Sequence, residues 1–192
     1  MRRDKRANEP GGYVEHAEEL NELAKHALRL ESRDATYLAK KISLGLSLQA
    51  IELAGKGVLF SLGQTTEEIR RKHKRHNLPE LLLAAEVALQ ARPEEGFRKH
   101  HQFTLWSPTI DGVEFYTTMA AYLKEHFSRG ASAEPRSYFY PDEPVFTGPT
   151  PIQAIWVMAD RLIQVAAEVE SLVESIRAQQ GAPGDAPKGA RA

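Results

Sequence analysis

The hydrophobic and polar positions of the chain recur with helical spacing over most of its length. Residues 13–30 place apolar side chains on one stripe and charged side chains away from it, which predicts an amphipathic helix. Asp34 is a candidate N-cap for a second helix, which continues to Gly63 and is apolar on almost every side. We therefore expect this second helix to be a buried helix of the core.

Two capping signals predict the next helices. Thr65 and Glu68 form a capping-box pattern at the start of a short basic helix that ends near His76. Asn77, with a proline two positions later, is the expected N-cap of a helix that continues to about Gln90. These two helices would therefore meet at His76 and Asn77.

Two longer connections interrupt the helical pattern. Residues 91–110 are expected to form a loop, because their helical period is lost. Three apolar side chains are expected to attach this loop to the core: Phe103, Leu105 and Trp106. A D-x-x-E pattern at Asp111 and Glu114 predicts a helix to about Phe127. Residues 128–150 are rich in glycine, proline and aromatic residues, which predicts a long ordered loop or lid.

The last predicted helix begins at Thr150, Pro151 and Gln153 and carries apolar side chains spaced alternately three and four residues apart. They form a stripe typical of helix-on-helix packing: Ile155, Met158, Leu162, Val165, Val169, Leu172 and Ile176. No stretch of the sequence shows convincing strand alternation, and no internal repeat is present. We therefore predict an all-α, up-and-down bundle of about five to six helices.

Length and composition favour one folded domain. The 192 residues are enough for a single core, which we assign to 13–179, between a disordered N-terminal arm (1–12) and a disordered tail (180–192). The 25 basic and 26 acidic residues give a net charge of −1, so any affinity for nucleic acid must be local. The lack of cysteine excludes disulfides, thiolate metal sites and cysteine nucleophiles.

The sequence carries no metal-binding signature, no phosphate-binding glycine loop and no secretory signal. We therefore expect no metal and no cofactor. Residues 42–63 approach the length of a membrane span, but Gln49, Glu52, Lys56 and four glycines make them a poor candidate. The expectation is a cytoplasmic protein without a membrane partner.

Glu52 and Lys56 are the only ionisable residues within 42–63, and they are four residues apart. This spacing brings their side chains together on one helix face, with the acid in the favourable N-terminal place. Such a pair is a structural ion pair, a charged stripe at the rim of the bundle, or part of a binding site. Burial of both charges requires a further hydrogen-bonding partner nearby, which we expect from residues 69–82.

Residues 69–82 concentrate positive charge in a chain that is otherwise nearly neutral. The cations are Arg70, Arg71, Lys72, Lys74 and Arg75, with His73 and His76 between and after them. A phosphate-bearing partner fits this run, and a solvated helix face is the alternative. Arg71 and His76 have the R-x4-H spacing, in which arginine stabilises the charge of a phosphate and histidine accepts the proton of an RNA 2′-hydroxyl. On one helix they point about 140° apart, so a shared phosphate requires a helix end or a dimer partner.

The long loop contains a cation beside stackable rings. Arg136 and Tyr138 lie two residues apart in the segment PRSYFYPDEP. Arginine can hold a phosphate while an aromatic ring stacks on a base. The alternative is a proline-rich loop that its tyrosines attach to the bundle.

These motifs together resemble HEPN domains, the higher eukaryotes and prokaryotes nucleotide-binding helical domains. The family pattern Q-A-x-E-x-x-x-K followed by H-[ND]-L falls on Gln49, Ala50, Glu52, Lys56, His76, Asn77 and Leu78. Arg136 and Tyr138 match a late R-Y of the family more loosely. The resemblance extends over residues 15–179 as architecture, although its specific motifs lie within 49–82.

The resemblance implies a bundle of about five helices, often a homodimer. Such proteins are metal-independent ribonuclease toxins, phage-defence components of toxin–antitoxin type, or non-catalytic nucleotide- and RNA-binding modules. Their catalytic R-x4–6-H usually lies late in the domain, whereas this chain has no histidine after Arg129. We therefore place binding ahead of cleavage. The resemblance also implies that His76 and Asn77 hold the Glu52–Lys56 pair.

The expected function is thus binding of nucleotide or RNA by a HEPN-like homodimer in a stress or defence response. The expected binding residues are Glu52, Lys56, Arg70, Lys74, Arg75, Asn77, Arg136 and Tyr138. If the protein cleaves RNA, Arg71 would stabilise the phosphorane and His76 would act as the general base, leaving a cyclic phosphate. The alternative is a structural or regulatory protein that acts through dimerisation, or through a partner helix on the stripe at 155–176.

Overall fold

A computed structural model describes residues 12–29, 36–72, 77–106, 109–110, 113–114, 117–127 and 152–181. Within these ranges the chain is mostly helical, which confirms the all-α class, whereas the HEPN-like bundle stays a prediction. The seven helices are α1 (Gly12–Arg29), α2 (Thr36–Ser61), α3 (Thr66–Lys72), α4 (Leu78–Gln90), α5 (Glu95–Arg98), α6 (Met119–Phe127) and α7 (Ile152–Gly181). The Asp34 cap and the predicted lid at 128–150 lie outside the described residues.

Helix α2 is the centre of the fold, because it contacts α1, α4 and α7. Its apolar side chains are largely buried, as the apolar sequence predicted: Leu44, Leu48, Ala50, Ile51, Ala54, Val58 and Leu59. Helix α1 runs antiparallel to α2, so the start of α1 lies against Gly57 while Asn21 lies against Ser47. Helix α7 runs alongside α2, with Trp156 at Ser43 and Ala166 at Gly57.

The glycines of α2 allow neighbouring helices to approach closely. A Cβ atom on Gly57 would lie 3.2 Å from Tyr13 Cβ in α1, and one on Gly55 would lie 3.2 Å from Leu81 Cδ2 in α4. Larger side chains at these positions would push the helices apart. The small residues that weaken α2 as a membrane span therefore serve its packing.

Helix α2 is also the one described helix that is long and apolar enough to cross a membrane. The stretch Ala39–Ser61 has a mean hydropathy of 1.2, and 72% of it is buried inside the protein. A buried core helix of a globular bundle has the same properties. Cytoplasmic location and the lack of a membrane partner remain predictions.

The ends of α2, α3 and α4 follow the predicted capping chemistry. Gly63 has a φ of 100°, and the N–H of the next residue, Gln64, donates to Leu59 O at 3.0 Å, closing α2 with a Schellman motif. Thr65 and Glu68 form the predicted capping box, with Thr65 N to Glu68 Oε2 at 2.8 Å and Glu68 N to Thr65 Oγ1 at 3.2 Å. Both predicted helix starts are confirmed, since Asn77 also caps α4.

The region between α4 and α6 differs from the prediction. Four two-residue strands form two antiparallel pairs, β1 (Leu105–Trp106) with β4 (Thr117–Thr118) and β2 (Thr109–Ile110) with β3 (Val113–Glu114). The helix expected from Asp111 begins only at Met119, so that prediction is wrong. β-Branched residues favour the extended backbone here, and Thr118 caps α6 by accepting a hydrogen bond from Ala121 N at 3.0 Å.

The predicted anchors of this region are only partly correct. Phe103 is buried as expected, but Leu105 is 49% exposed, which contradicts its predicted role. Phe103 belongs to the turn before β1, whereas Leu105 belongs to β1 itself, so the two side chains do not follow one periodicity. The side chain of Trp106 lies outside the described residues. Phe97 in α5 is fully buried and supplies the anchor that sequence reasoning missed.

The apolar stripe of α7 packs inside the chain itself. Ile155, Met158, Leu162, Val165 and Val169 are buried, and Leu172 and Ile176 are partly buried against the same core. Their covering helices are α1 and α2. A partner helix would therefore need a different face of the protein.

Candidate functional site

The charged pair of α2 is an ion pair at the edge of the core. Lys56 Nζ contacts Glu52 Oε1, and the two side chains are 18% and 7% exposed, respectively. Glu52 lies about 60° around the helix from Gly55, which contacts Leu81 of α4. The predicted pair is thus present and mostly shielded from water, beside the contact between α2 and α4.

Asn77 has a structural role in the described chain. Its Oδ1 accepts a hydrogen bond from Glu80 N at 3.3 Å, which caps α4. His76, which the family resemblance places beside Glu52 and Lys56, lies outside the described residues. The expected contact of His76 and Asn77 with the Glu52–Lys56 ion pair therefore stays a prediction.

The basic residues of α3 face the solvent. Arg70, Arg71 and Lys72 form the last turn of the helix, and all three are exposed. Within the described part of the chain, Arg70 Nη2 pairs with Glu67 Oε2 at 3.5 Å, and both side chains are mostly exposed. Such a pair neutralises little charge. Cations at a helix C-terminus also stabilise the helix dipole, so the same residues have a structural benefit.

Glu68, the remaining acid of α3, is held by the cap. Its pKa is lowered, first by the hydrogen bond from Thr65 N–H and next by that from the Thr65 hydroxyl. The carboxylate thus stays ionised and directed toward the start of α3. The charges of α3 are therefore divided, with acids at the first turn and cations at the last.

Several predicted site residues lie outside the described chain. They are Lys74, Arg75, His76, Arg136 and Tyr138. Of the proposed catalytic pair, Arg71 and His76, the structure therefore describes only Arg71, which is exposed. The structure brings Glu52 and Lys56 together and presents Arg70 and Arg71 to solvent.

A cleft that the sequence did not indicate lies at the start of α3. This α2–α7 cleft, of about 250 Å³, is bounded by the turn between α2 and α3 and by the last turns of α7. Phe60 and Val173 give it an apolar floor, while Gln64 and Arg177 supply polar groups. Among the described residues, Gln64 Oε1 is buried without a hydrogen-bond partner.

A second group of polar residues joins α7 to the segment after α5. Glu168 accepts from Lys99 Nζ at 2.6 Å and from Gln164 Nε2 at 3.0 Å, and His100 Nε2 lies 3.4 Å from the same carboxylate. Burial, and then the charge of Lys99, lowers the pKa of the His100 imidazole. No group of three or more metal-ligating side chains occurs in the described ranges.

A third polar group lies between α1, α2 and α7. Asn21 Nδ2 donates to Asp160 Oδ1 at 2.8 Å, and Asn21 Oδ1 accepts from Ser47 Oγ at 3.2 Å. Lys25 Nζ also donates to Asp160 Oδ1 at 2.8 Å. These bonds fix how three helices are rotated against one another. Sequence analysis missed them, although the position of Asn21 on the apolar stripe of α1 was a signal.

The comparisons with known proteins give no relative. No protein-family model matches the sequence, and no curated protein or solved structure is similar to the chain. The resemblance to HEPN domains therefore rests on the motif residues alone.

Proposed function

We propose that the chain is a HEPN-like helical protein that binds nucleotide or RNA through the basic end of α3. The observation that carries this proposal is the exposure of Arg70, Arg71 and Lys72 on one short helix. Adjacent exposed cations attract the phosphate backbone of nucleic acid, and a chain with a net charge of −1 has no global field that would do so.

The ion pair of α2 supports a scaffold role for the family-like motif. Lys56 has Glu52 as its partner, and little of either side chain reaches water. A cation that is already paired and shielded gains less from a phosphate than an exposed arginine does. Arg70 and Arg71 are therefore the better supported phosphate contacts, and Glu52 with Lys56 would orient α2 beneath them.

Salt dependence of RNA binding tests the proposal. Affinity of the full chain for a fluorescent single-stranded RNA should fall steeply with salt, with a slope of about 0.7 per neutralised phosphate. Arg70→Ala with Arg71→Ala should reduce that slope by about 1.4. The matched control is Lys124→Ala with Arg161→Ala, which removes two exposed cations from other helices and should leave the slope unchanged. Binding that ignores salt would contradict the proposal.

Cleavage is a separate part of the proposal. In a catalytic form, Arg71 stabilises the phosphorane and His76 is the general base, without a metal. Incubation of the protein with total RNA in EDTA should then produce fragments ending in cyclic phosphate, and both His76→Ala and Arg71→Ala should abolish them. RNA that stays intact with the wild-type protein would leave binding as the function.

A different function is favoured by one exposed apolar face. Leu83 and Val87 lie one turn apart on α4 and are 51% and 65% exposed. Such residues can bind a second copy or a partner helix, as in the regulatory alternative. Binding of this kind would be nearly insensitive to salt. It would be lost in the double variant Leu83→Ser with Val87→Ser and retained in the double variant Arg70→Ala with Arg71→Ala. Sedimentation at several concentrations gives the oligomeric state.

A further inference from the structure

The side chain of Gln64 lies at the α2–α7 cleft. Gln64 lines this cleft, and its Oε1 is buried with no hydrogen-bond partner in the described part of the chain. A buried acceptor without a partner lowers stability, by about 1–3 kcal/mol when nothing replaces water. A ligand that donates an N–H in the cleft would remove that penalty.

The size and floor of the cleft select a flat, compact group. Its volume of about 250 Å³ is slightly below the range of about 300–1,000 Å³ that holds whole small-molecule ligands. Phe60 and Val173 present apolar surface and an aromatic ring to whatever enters. A single ring system therefore fits the cleft better than a complete nucleotide.

The charges around the cleft orient such a ligand. Glu170 and Glu174 lie on its α7 wall, and Arg177 lies about one turn beyond Glu174. Carboxylates repel a phosphate and accept hydrogen bonds from amino groups, whereas arginine attracts a phosphate. The ring would thus enter with its amino edge inward, and the phosphate would stay toward Arg177.

We propose that the α2–α7 cleft holds one adenine base of the bound nucleotide or RNA, read by the side-chain amide of Gln64. Glutamine pairs with adenine through two hydrogen bonds, its Oε1 accepting from N6 and its Nε2 donating to N7. The inference rests on the proposed RNA binding by α3. It adds a base-specific contact to phosphate contacts that are indifferent to sequence.

The cleft and the basic end of α3 are close enough for one short RNA strand to contact both. Thr65, at the cleft, and Arg71 are separated by about 9 Å along the helix. Stacked nucleotides repeat at about 3.4 Å, so about three of them bridge the two places. A base in the cleft and phosphates at Arg70 and Arg71 are therefore compatible with one continuous strand.

The test compares two octaribonucleotides, one of adenosine and one of purine riboside, which lacks the 6-amino group. We expect the wild-type protein to bind the adenosine octamer about two- to tenfold more tightly, the effect of one hydrogen bond. Gln64→Leu should bind both octamers equally and keep the salt slope. This variant removes an unpaired buried acceptor, so its fold should be retained, which circular dichroism checks.

The matched control is Gln153→Leu, the same change at an exposed position of α7, which should keep the preference for adenosine. Equal wild-type binding of both octamers, or a preference that survives in Gln64→Leu, would overturn the cleft proposal and leave salt-dependent RNA binding intact. If wild-type protein binds neither octamer, the proposed function fails instead. In that case the cleft is tested separately by NMR. The amide signals of Gln64 and Phe60 should shift more with free adenosine than with purine riboside, and equal shifts would overturn the cleft proposal.

Discussion

At the scale of single residues, the Glu52–Lys56 pair links the stability of the protein to two charges at the edge of the core. It lies in residues 42–63, which carry no other ionisable side chain. The glutamate is 7% exposed, so its charge depends on the nearby lysine more than a surface carboxylate would. The contribution of each side chain to the free energy of unfolding therefore depends on the presence of the other.

Lys56→Met should lower the free energy of unfolding by about 2–4 kcal/mol, because it leaves a shielded carboxylate without its cation. The double variant Glu52→Leu with Lys56→Met should recover most of this loss, since it removes both charges from the low-dielectric edge of the core. Urea unfolding at neutral pH measures the wild-type protein, the double variant and both single variants, Lys56→Met and Glu52→Leu. Losses that simply add within about 0.5 kcal/mol would mean that the two side chains do not interact.

Whether such a residue can be found from the sequence depends on how local its partner is. Glu52 and Lys56 were predictable because a fixed helical spacing joins them. Gln64 was not, because Val173 and Arg177, which complete its cleft, come from a helix far along the chain. His100 shares this problem, since its environment depends on Glu168 of α7.

At the scale of elements, two equally local helix-start patterns had different outcomes. The capping box at Thr65 needs only residues within one turn, and the structure forms it as expected. The D-x-x-E pattern at Asp111 is equally local, but strand pairing places Glu114 opposite Thr109. Only Asp111 and Gly112 separate β2 from β3 in the sequence, so the competing hairpin is as local as the cap, and an Asp-Gly pair favours it.

Asn77 gives the element-scale prediction. Asn77→Ala removes the acceptor of Glu80 N–H and should lower the free energy of unfolding by about 1 kcal/mol, whereas Asn77→Ser, another good N-cap, should lose only a few tenths. Thermal unfolding of both variants measures the difference. Equal losses would show that the side chain contributes something other than a cap. RNA binding that falls in the stable Asn77→Ser variant would support its family-like role.

At the scale of the whole molecule, α2 is surrounded by three helices, and this arrangement sets the fold. The apolar character of α2 predicted its burial, but not its neighbours, which depend on where glycines permit close approach. The all-α class therefore followed from local periodicity. The pairing of α7 with α2 includes the hydrogen bond from Trp156 Nε1 to Ser43 Oγ at 3.0 Å, which no periodicity shows.

The docking of α7 against the segment after α5 makes the stability of the whole molecule depend on pH. His100 is buried there, and the charged or titratable groups around it are Lys99, His101 and Glu168. Burial, and then the charge of Lys99, holds the pKa of His100 in the folded protein below its ordinary value of 6.5. The unfolded chain therefore binds a proton more readily than the folded chain does. Stability should fall as the pH decreases through about 6.5, until the folded imidazole is also protonated.

His100→Gln removes this proton uptake and should flatten the pH dependence of stability between pH 7 and pH 5. The slope difference from the wild-type protein should approach, and not exceed, about 1.4 kcal/mol per pH unit, the limit for one proton. Glu168 does not interfere, because its pKa is lowered by Lys99 from 4.5 and its own loss of stability comes at more acidic pH. Urea unfolding at half-unit pH intervals supplies the curves, with His26→Gln, an exposed histidine of α1, as the matched control. If His100→Gln and wild-type protein keep parallel curves, His100 titrates alike in the folded and unfolded chain, and its burial against Glu168 does not govern its protonation.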